Sequence, residues 1–165
     1  MKDSSARQQK KRKNKDMKRT IYIGADSAGY TLKEEVKVHL TTLGYQVEDM
    51  GCHSTESCHY PEFASKVCKK VQSDLKDSFG ILICGTGIGM SMCANKHRGI
   101  RAAVCGDTYS AKMTRCHNDA NLLCIGARVT GSCLALDIVD AFLGAEYEGG
   151  RHAIRVKMME DIENG

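Results

Sequence analysis

The chain has 165 residues, 42% of them hydrophobic, which is enough for one buried core and argues against a tandem of domains. Nothing in it approaches a transmembrane run or a secretory leader. Residues 1–19 hold nine Lys or Arg against two Asp, so they carry +7 of a total of +4 and leave the body at −3. The basic balance therefore belongs to one terminus, and the body itself is no polycation for nucleic acid.

Residues 1–18 have no apolar periodicity and read as a disordered basic tail. Their KKRKNK run is of a kind that contacts nucleic acid or serves as a nuclear address, and a solvated extension is the preferred reading. Strand and helix alternate from Thr20 onward. Ile21–Ala25 is the first strand and ends at Asp26. Leu32, Val36, Val38, Leu40 and Leu43 form a helical stripe that Gly44 stops. Gln46–Asp49 is a short second strand, and Pro61, the only proline, opens a helix through Ala64, Val67, Cys68 and Val71.

Ile81–Ile83 is a third strand closed by Cys84. Gly85-Thr86-Gly87-Ile88-Gly89 then turns the chain into a helix from about Met90 to His97. Ala102–Cys105 and Leu122–Ile125 are the fourth and fifth strands, with helices at Asp107–Cys116 and Cys133–Leu143. The order predicts an α/β fold, a Rossmann-like three-layer α/β/α sandwich on a five-stranded parallel sheet. A last helix, about Arg151 to Ile162, has no strand to pair with and is expected on a partner subunit. Residues 19–165 thus read as one domain.

The nine cysteines are odd in number, contain no CxxC, and imply a reducing, cytoplasmic setting. Cys68, Cys93, Cys124 and Cys133 sit in apolar segments and are expected to be buried. Cys84 is the exception. A glycine turn between strand and helix aims N–H groups at one small space, which favours an anion, and a helix N-terminus favours thiolate. Cys84 is therefore expected to be solvent-exposed and reactive. Cys52, His53, Cys58 and His59 have the identity of zinc ligands but not the spacing, and are read as a polar loop. Asp26 has the plain reading of a helix N-cap, Tyr60 that of a packed ring, and His117 that of a charge at a helix C-terminus. Arg151 and Arg155, four apart, share one helix face and can fork around a phosphate.

ILICGTGIGMSMCANK, with its GTGxG followed by Ala-Asn-Lys, resembles the signature of the type B ribose-5-phosphate isomerases and their galactose-6-phosphate isomerase relatives. Tyr60-Pro61, the HND at His117-Asn118-Asp119, Arg128 and GGRHAIRV extend the resemblance from Lys18 to about Ile162. It implies aldose–ketose isomerisation of ribose 5-phosphate and ribulose 5-phosphate through a cis-enediolate, within the non-oxidative pentose phosphate pathway. The implied base is Cys84, with Thr86 beside it, His117 opening the sugar ring and Asp26 holding hydroxyls. Ser27 stands where the family carries His. Tyr60, Asn118 and the turn Gly85, Gly87, Ile88 and Gly89 would line the substrate, while Arg128, Arg151 and Arg155 would hold its phosphate. Met90 occupies the place of the Glu that serves as base in part of the family. The resemblance further implies no cofactor, no metal and a site shared between subunits of a homo-oligomer, a dimer or tetramer. Neither a membrane nor nucleic acid is expected as a partner. Two other readings stand beside this one: a six-carbon 6-phosphate such as allose or galactose 6-phosphate, or a nucleotide-binding module with Asp107 as ribose acceptor.

Overall fold

The computed structural model describes residues 19–165, so the basic tail expected over 1–18 lies outside the described residues. Five strands, β1 (Thr20–Ala25), β2 (Gln46–Asp49), β3 (Ser78–Cys84), β4 (Ala102–Val104) and β5 (Leu122–Gly126), form one parallel sheet in the order β2-β1-β3-β5-β4. Six helices connect and flank them: α1 (Tyr30–Thr42), α2 (Tyr60–Ser73), α3 (Ile88–Ala94), α4 (Thr108–Asn118), α5 (Ser132–Leu143) and α6 (Arg151–Asn164). The expected three-layer sandwich is observed.

Alternation along the strands divides the core in two, because successive side chains leave opposite faces. Ile21, Ile23, Phe79, Ile81, Ile83, Leu123 and Ile125 meet α1, α4 and α5 on one face. Tyr22, Leu82, Cys84, Leu122 and Cys124 meet α2 and α3 on the other. β3 begins three residues earlier than its apolar run suggests. At Gly80 a Cβ would stand 2.9 Å from both Leu122 and Val67, so a glycine that weakens strand propensity is what lets α2 and β5 close on this strand.

Three local expectations are corrected. The buried line of α1 is Leu32, Val36 and Leu40, spaced by four, whereas Val38 and Leu43 are exposed. Val38 lies two residues from Val36, about 200° around the helix, so the core cannot take both. Cys133 is exposed at the first turn of α5, not buried. The helix after the glycine turn ends at Ala94, short of His97.

Lys33, an apolar stem that ends in a charged ammonium, has no exposed surface. Its ammonium donates to both oxygens of Asp49, at 2.8 and 2.6 Å, and lies 3.0 Å from Glu34. Asp49 also accepts from Lys37 Nζ and from the Gly51 amide at 2.9 Å, which pins the end of β2 to α1. Burial alone would raise the Asp49 pKa, but the two ammonium groups outweigh it and hold the carboxyl below its ordinary value. A depressed carboxyl contributes stability above its unfolded pKa of about 4, and loses it as pH falls through the folded value. Asp49→Asn should therefore cost about 3 kcal/mol in urea unfolding at pH 7, by leaving a buried ammonium underpaired. The gap to wild type should shrink below pH 4, and a gap independent of pH would show that the pair does not carry it.

Candidate active site

Parallel pairing sets Ala25 opposite Ile83 and Cys84 opposite Gly126, so the chain leaves β1, β3 and β5 at one edge of the sheet. That carboxyl edge is where open α/β sheets gather ligands. Cys84 is the last residue of β3, and its Sγ accepts a hydrogen bond from the Gly87 amide at 3.2 Å. Gly87 has φ +79°, and a Cβ there would come 3.0 Å from the Ile125 backbone, so only glycine makes this turn without strain. The turn is fastened to the start of the next loop. Ala127 N–H donates to Cys84 C=O at 2.8 Å and Arg128 N–H to Gly85 C=O at 3.0 Å, which lays the Arg128 side chain over Gly85.

Asp26 lies at the same edge, its N–H donating to Ile83 C=O at 3.2 Å. Its Oδ1 accepts from the Ala28 and Gly29 amides, both at 3.0 Å. The carboxylate therefore orders the turn through Ser27 ahead of α1; the N-cap position itself is Gly29, not Asp26. Tyr60 opens α2 and reaches across so closely that a Cβ on Gly89 would meet its ring at 2.8 Å. Thr86 and Ile88 are exposed at the rim of the turn, with Ile88 N–H 3.4 Å from Thr86 Oγ1. Cys84, Thr86, Asp26, Ser27, Tyr60, Arg128 and the glycine turn are thus brought together.

His117, Asn118, Arg151 and Arg155 are not brought to that edge. α4 carries the chain back, and Asn121 pairs beside Gly80, four residues before Cys84 and about 13 Å down the strand. His117 and Asn118 precede even that level. The N-terminus of α6 joins them there: the His117 and His152 rings stack at 4.2 Å, 9° from parallel, while Arg151 and Arg155 are exposed alongside. Glu148 Oε2 stands 3.9 Å from His117 Nε2 and 3.7 Å from His152 Nε2. Burial first, then the His117 and Arg151 charges, lower the His152 pKa, so that ring is neutral at neutral pH. Sequence reasoning assigned no role to Glu148 or His152, although His152 stands between the two candidate arginines Arg151 and Arg155.

Among the described residues, His117, Glu148 and His152 are the one group of potential ligand atoms gathered within 4.8 Å. Nearly parallel imidazoles send their lone pairs along parallel planes instead of toward a common point, which is poor geometry for an ion. Cys52, His53, Cys58 and His59 do not form such a group. Asp107, the rival ribose acceptor, is the N-cap of α4, accepting from Ser110 N–H at 2.7 Å.

Burial lifts the Cys68 thiol to about 12 and Cys105 to about 11, and raises Cys124 well above the ordinary range. None of the three offers a thiolate at neutral pH. Cys84 differs from the expectation of an exposed thiol: it is only 5% exposed, because the side chain on its strand face turns inward with Leu82. Limited iodoacetamide with mass mapping should accordingly modify Cys133 first and the half-buried Cys58 and Cys93 next, with Cys84 late. Early loss of the Cys84 thiol would show that the glycine turn opens readily in solution.

Residues 21–159 match the family model described as Ribose/Galactose Isomerase. Ribose-5-phosphate isomerase B of Escherichia coli is 51% identical over 143 residues, 87% of this chain and 95% of that one. The solved structure of ribose-5-phosphate isomerase B from Clostridium thermocellum is 54% identical with a TM-score of 0.86, over 88% of this chain and 97% of that one. The enzyme from Mycoplasma genitalium, solved with bound ribulose-5-phosphate, is 39% identical with a TM-score of 0.87, over 90% and 98% of the two chains. With sequence matched across both core faces and both edges of the sheet, this chain belongs to the ribose/galactose isomerase family.

Proposed function

We propose that the chain interconverts ribose 5-phosphate and ribulose 5-phosphate, the sugar named with its relatives, and that Cys84 is the base. The observation that carries this is the Cys84 sulfur facing the Gly87 N–H at 3.2 Å inside a glycine turn. Cys84 takes the proton from C2 of the open-chain aldose and the electron pair of that bond shifts the C1 carbonyl pair onto its oxygen, which gives a cis-enediolate. Transfer of the C2 hydroxyl proton to the C1 oxygen and return of the proton from Cys84 to C1 give the ketose. The amides of Gly85 to Gly89, with Thr86 Oγ1, are placed to share the negative charge that develops on oxygen. Asp26 keeps an oxygen for sugar hydroxyls, Ser27 and Tyr60 line the chamber, and Arg128 meets the phosphate. Cys84→Ser should lower kcat by far more than tenfold, since a hydroxyl is a poor base at neutral pH. A loss under tenfold, about 1.4 kcal/mol, would remove Cys84 from the role.

Ring opening needs an acid and base at the ring oxygen, for which His117 with Asn118 is the choice. Because His117 lies at the opposite edge from its own Cys84, the functional unit is a homo-oligomer in which one subunit's His117, Asn118, Arg151 and Arg155 complete its partner's site. Exposed apolar residues at both edges support the pairing. Ile154, Met158 and Ile162 form an exposed i,i+4,i+8 stripe on α6, and Ile88, Met92 and Val129 are exposed around the glycine turn. On this reading residues 19–165 form one isomerase domain whose last helix packs on the partner. The compartment is the cytoplasm, in keeping with nine free cysteines; no described helix is long and apolar enough to cross a membrane. Mixing inactive Cys84→Ala with inactive His117→Ala subunits should restore about a quarter of the sites, because each mixed dimer keeps one intact pair. Absence of any recovery after subunit exchange would place both residues in one subunit's site.

A further inference from the structure

The loop between β2 and α2 carries two free thiols, Cys52 and Cys58, that the proposed reaction does not use. Cys52 is anchored: its N–H donates to Ala25 C=O at 2.8 Å, and the Gly51 carbonyl accepts from the Ala25 N–H at 2.7 Å. It therefore sits at the carboxyl edge, beside the residue that precedes Asp26. The Cys52 side chain is only 6% exposed, with its Sγ 3.3 Å from the Ser54 carbonyl oxygen. Residues 53–57 are exposed and loop back, so that the half-buried Cys58 sulfur comes into hydrogen-bond contact with the Cys52 thiol. His59, the N-cap of α2, and then Tyr60 follow at once.

The two sulfurs have unlike surroundings. Burial, with the Cys58 sulfur adding to it, pushes the Cys52 thiol up against the opposing pull of the Ser54 backbone and Lys33. Cys58 is the sulfur that a solute meets, and Cys52 is the one held behind it. That is the arrangement of an attacked thiol and a resolving thiol. A covalent S–S bond is shorter than any contact between two thiols, so closing it draws one side toward the other. Cys52 is tied to β1, and the exposed segment after it is the side that gives. Cys58 then moves inward and takes the first turn of α2 with it, including the Tyr60 ring packed over Gly89.

We propose that Cys52 and Cys58 close a reversible disulfide under peroxide and form a redox switch on the Tyr60 wall of the site. The Cys58 sulfur attacks one oxygen of hydrogen peroxide, the O–O bond breaks, and a sulfenic acid and water form. The Cys52 sulfur then attacks the Cys58 sulfur, the S–O bond breaks, and the leaving hydroxide takes the Cys52 proton as a second water. The thiol pair is oxidised and the peroxide reduced. The effect on turnover rests on the isomerase reading; the bond does not.

The test exposes the full chain to a small excess of hydrogen peroxide, blocks it with iodoacetamide and digests it without reductant. Peptide mass should show Cys52 joined to Cys58 with the loss of both thiol hydrogens. The kcat/KM for ribose 5-phosphate should fall about tenfold, on the scale of an ångström-sized displacement in a site, and return with dithiothreitol. Cys58→Ser should start at the wild-type kcat/KM and keep it through the same exposure, which separates this loop from oxidation of Cys84. Absence of the Cys52–Cys58 bond, an equal loss in Cys58→Ser, or a closed bond with kcat/KM unchanged would overturn the proposal. Closure of the bond in a chain inactive on every sugar phosphate would uphold the thiol pair and sink the isomerase reading alone.

Discussion

The parallel pairing of β1, β3 and β5 is the constraint from which the rest follows. Once Ala25 lies beside Ile83 and Cys84 beside Gly126, the turns after all three strands share one edge. Each connecting helix must then run back to the other edge before the next strand begins. Cys84, the glycine turn, Asp26 and Arg128 meet because of the first fact. His117, Asn118 and the start of α6 meet because of the second. Neither group owes its position to attraction between its members.

This division gives the fold two chemically different ends. At the carboxyl edge the glycine turn folds its N–H groups back on their own side chains, Gly87 N–H to the Cys84 sulfur and Ile88 N–H toward Thr86 Oγ1, because Gly87 takes a positive φ and Gly89 leaves room for Tyr60. At the amino edge, helix C-termini collect basic side chains, and carbonyls such as those of Asn118, Asp119 and Ala120 are taken up by Arg101 and Arg115. In the proposed homo-oligomer, the glycine turn of one subunit and the arginines and imidazoles of another would complete one site between them.

Charge burial is used sparingly and always with several partners. Lys33 is tolerated without solvent because Asp49 and Glu34 both surround it, and Asp49 is itself held by Lys37 and the Gly51 amide. The cluster fastens β2, an edge strand of four residues whose side chains are only partly buried, to α1. It thereby steadies the loop that begins at Met50, whose amide donates to Ile23 C=O and which leads on to Tyr60. Packing alone would hold so short a strand weakly.

The sequence by itself determined the order of strands and helices, the parallel sheet and the glycine turn after Cys84, because these rest on local periodicity and on the conformational freedom of glycine. It also indicated most of the residues at both edges, through motif resemblance. What it could not determine was distance. His117 and Cys84 are 33 positions apart in a chain that reverses direction between them, and only the strand register shows that they occupy opposite edges. The inward aim of the Cys84 thiol, the exposure of Cys133 and Val38, and the burial of Lys33 were likewise decided by tertiary packing. Each depends on which neighbours from distant segments fill the space around a side chain, and no local pattern of residues encodes that.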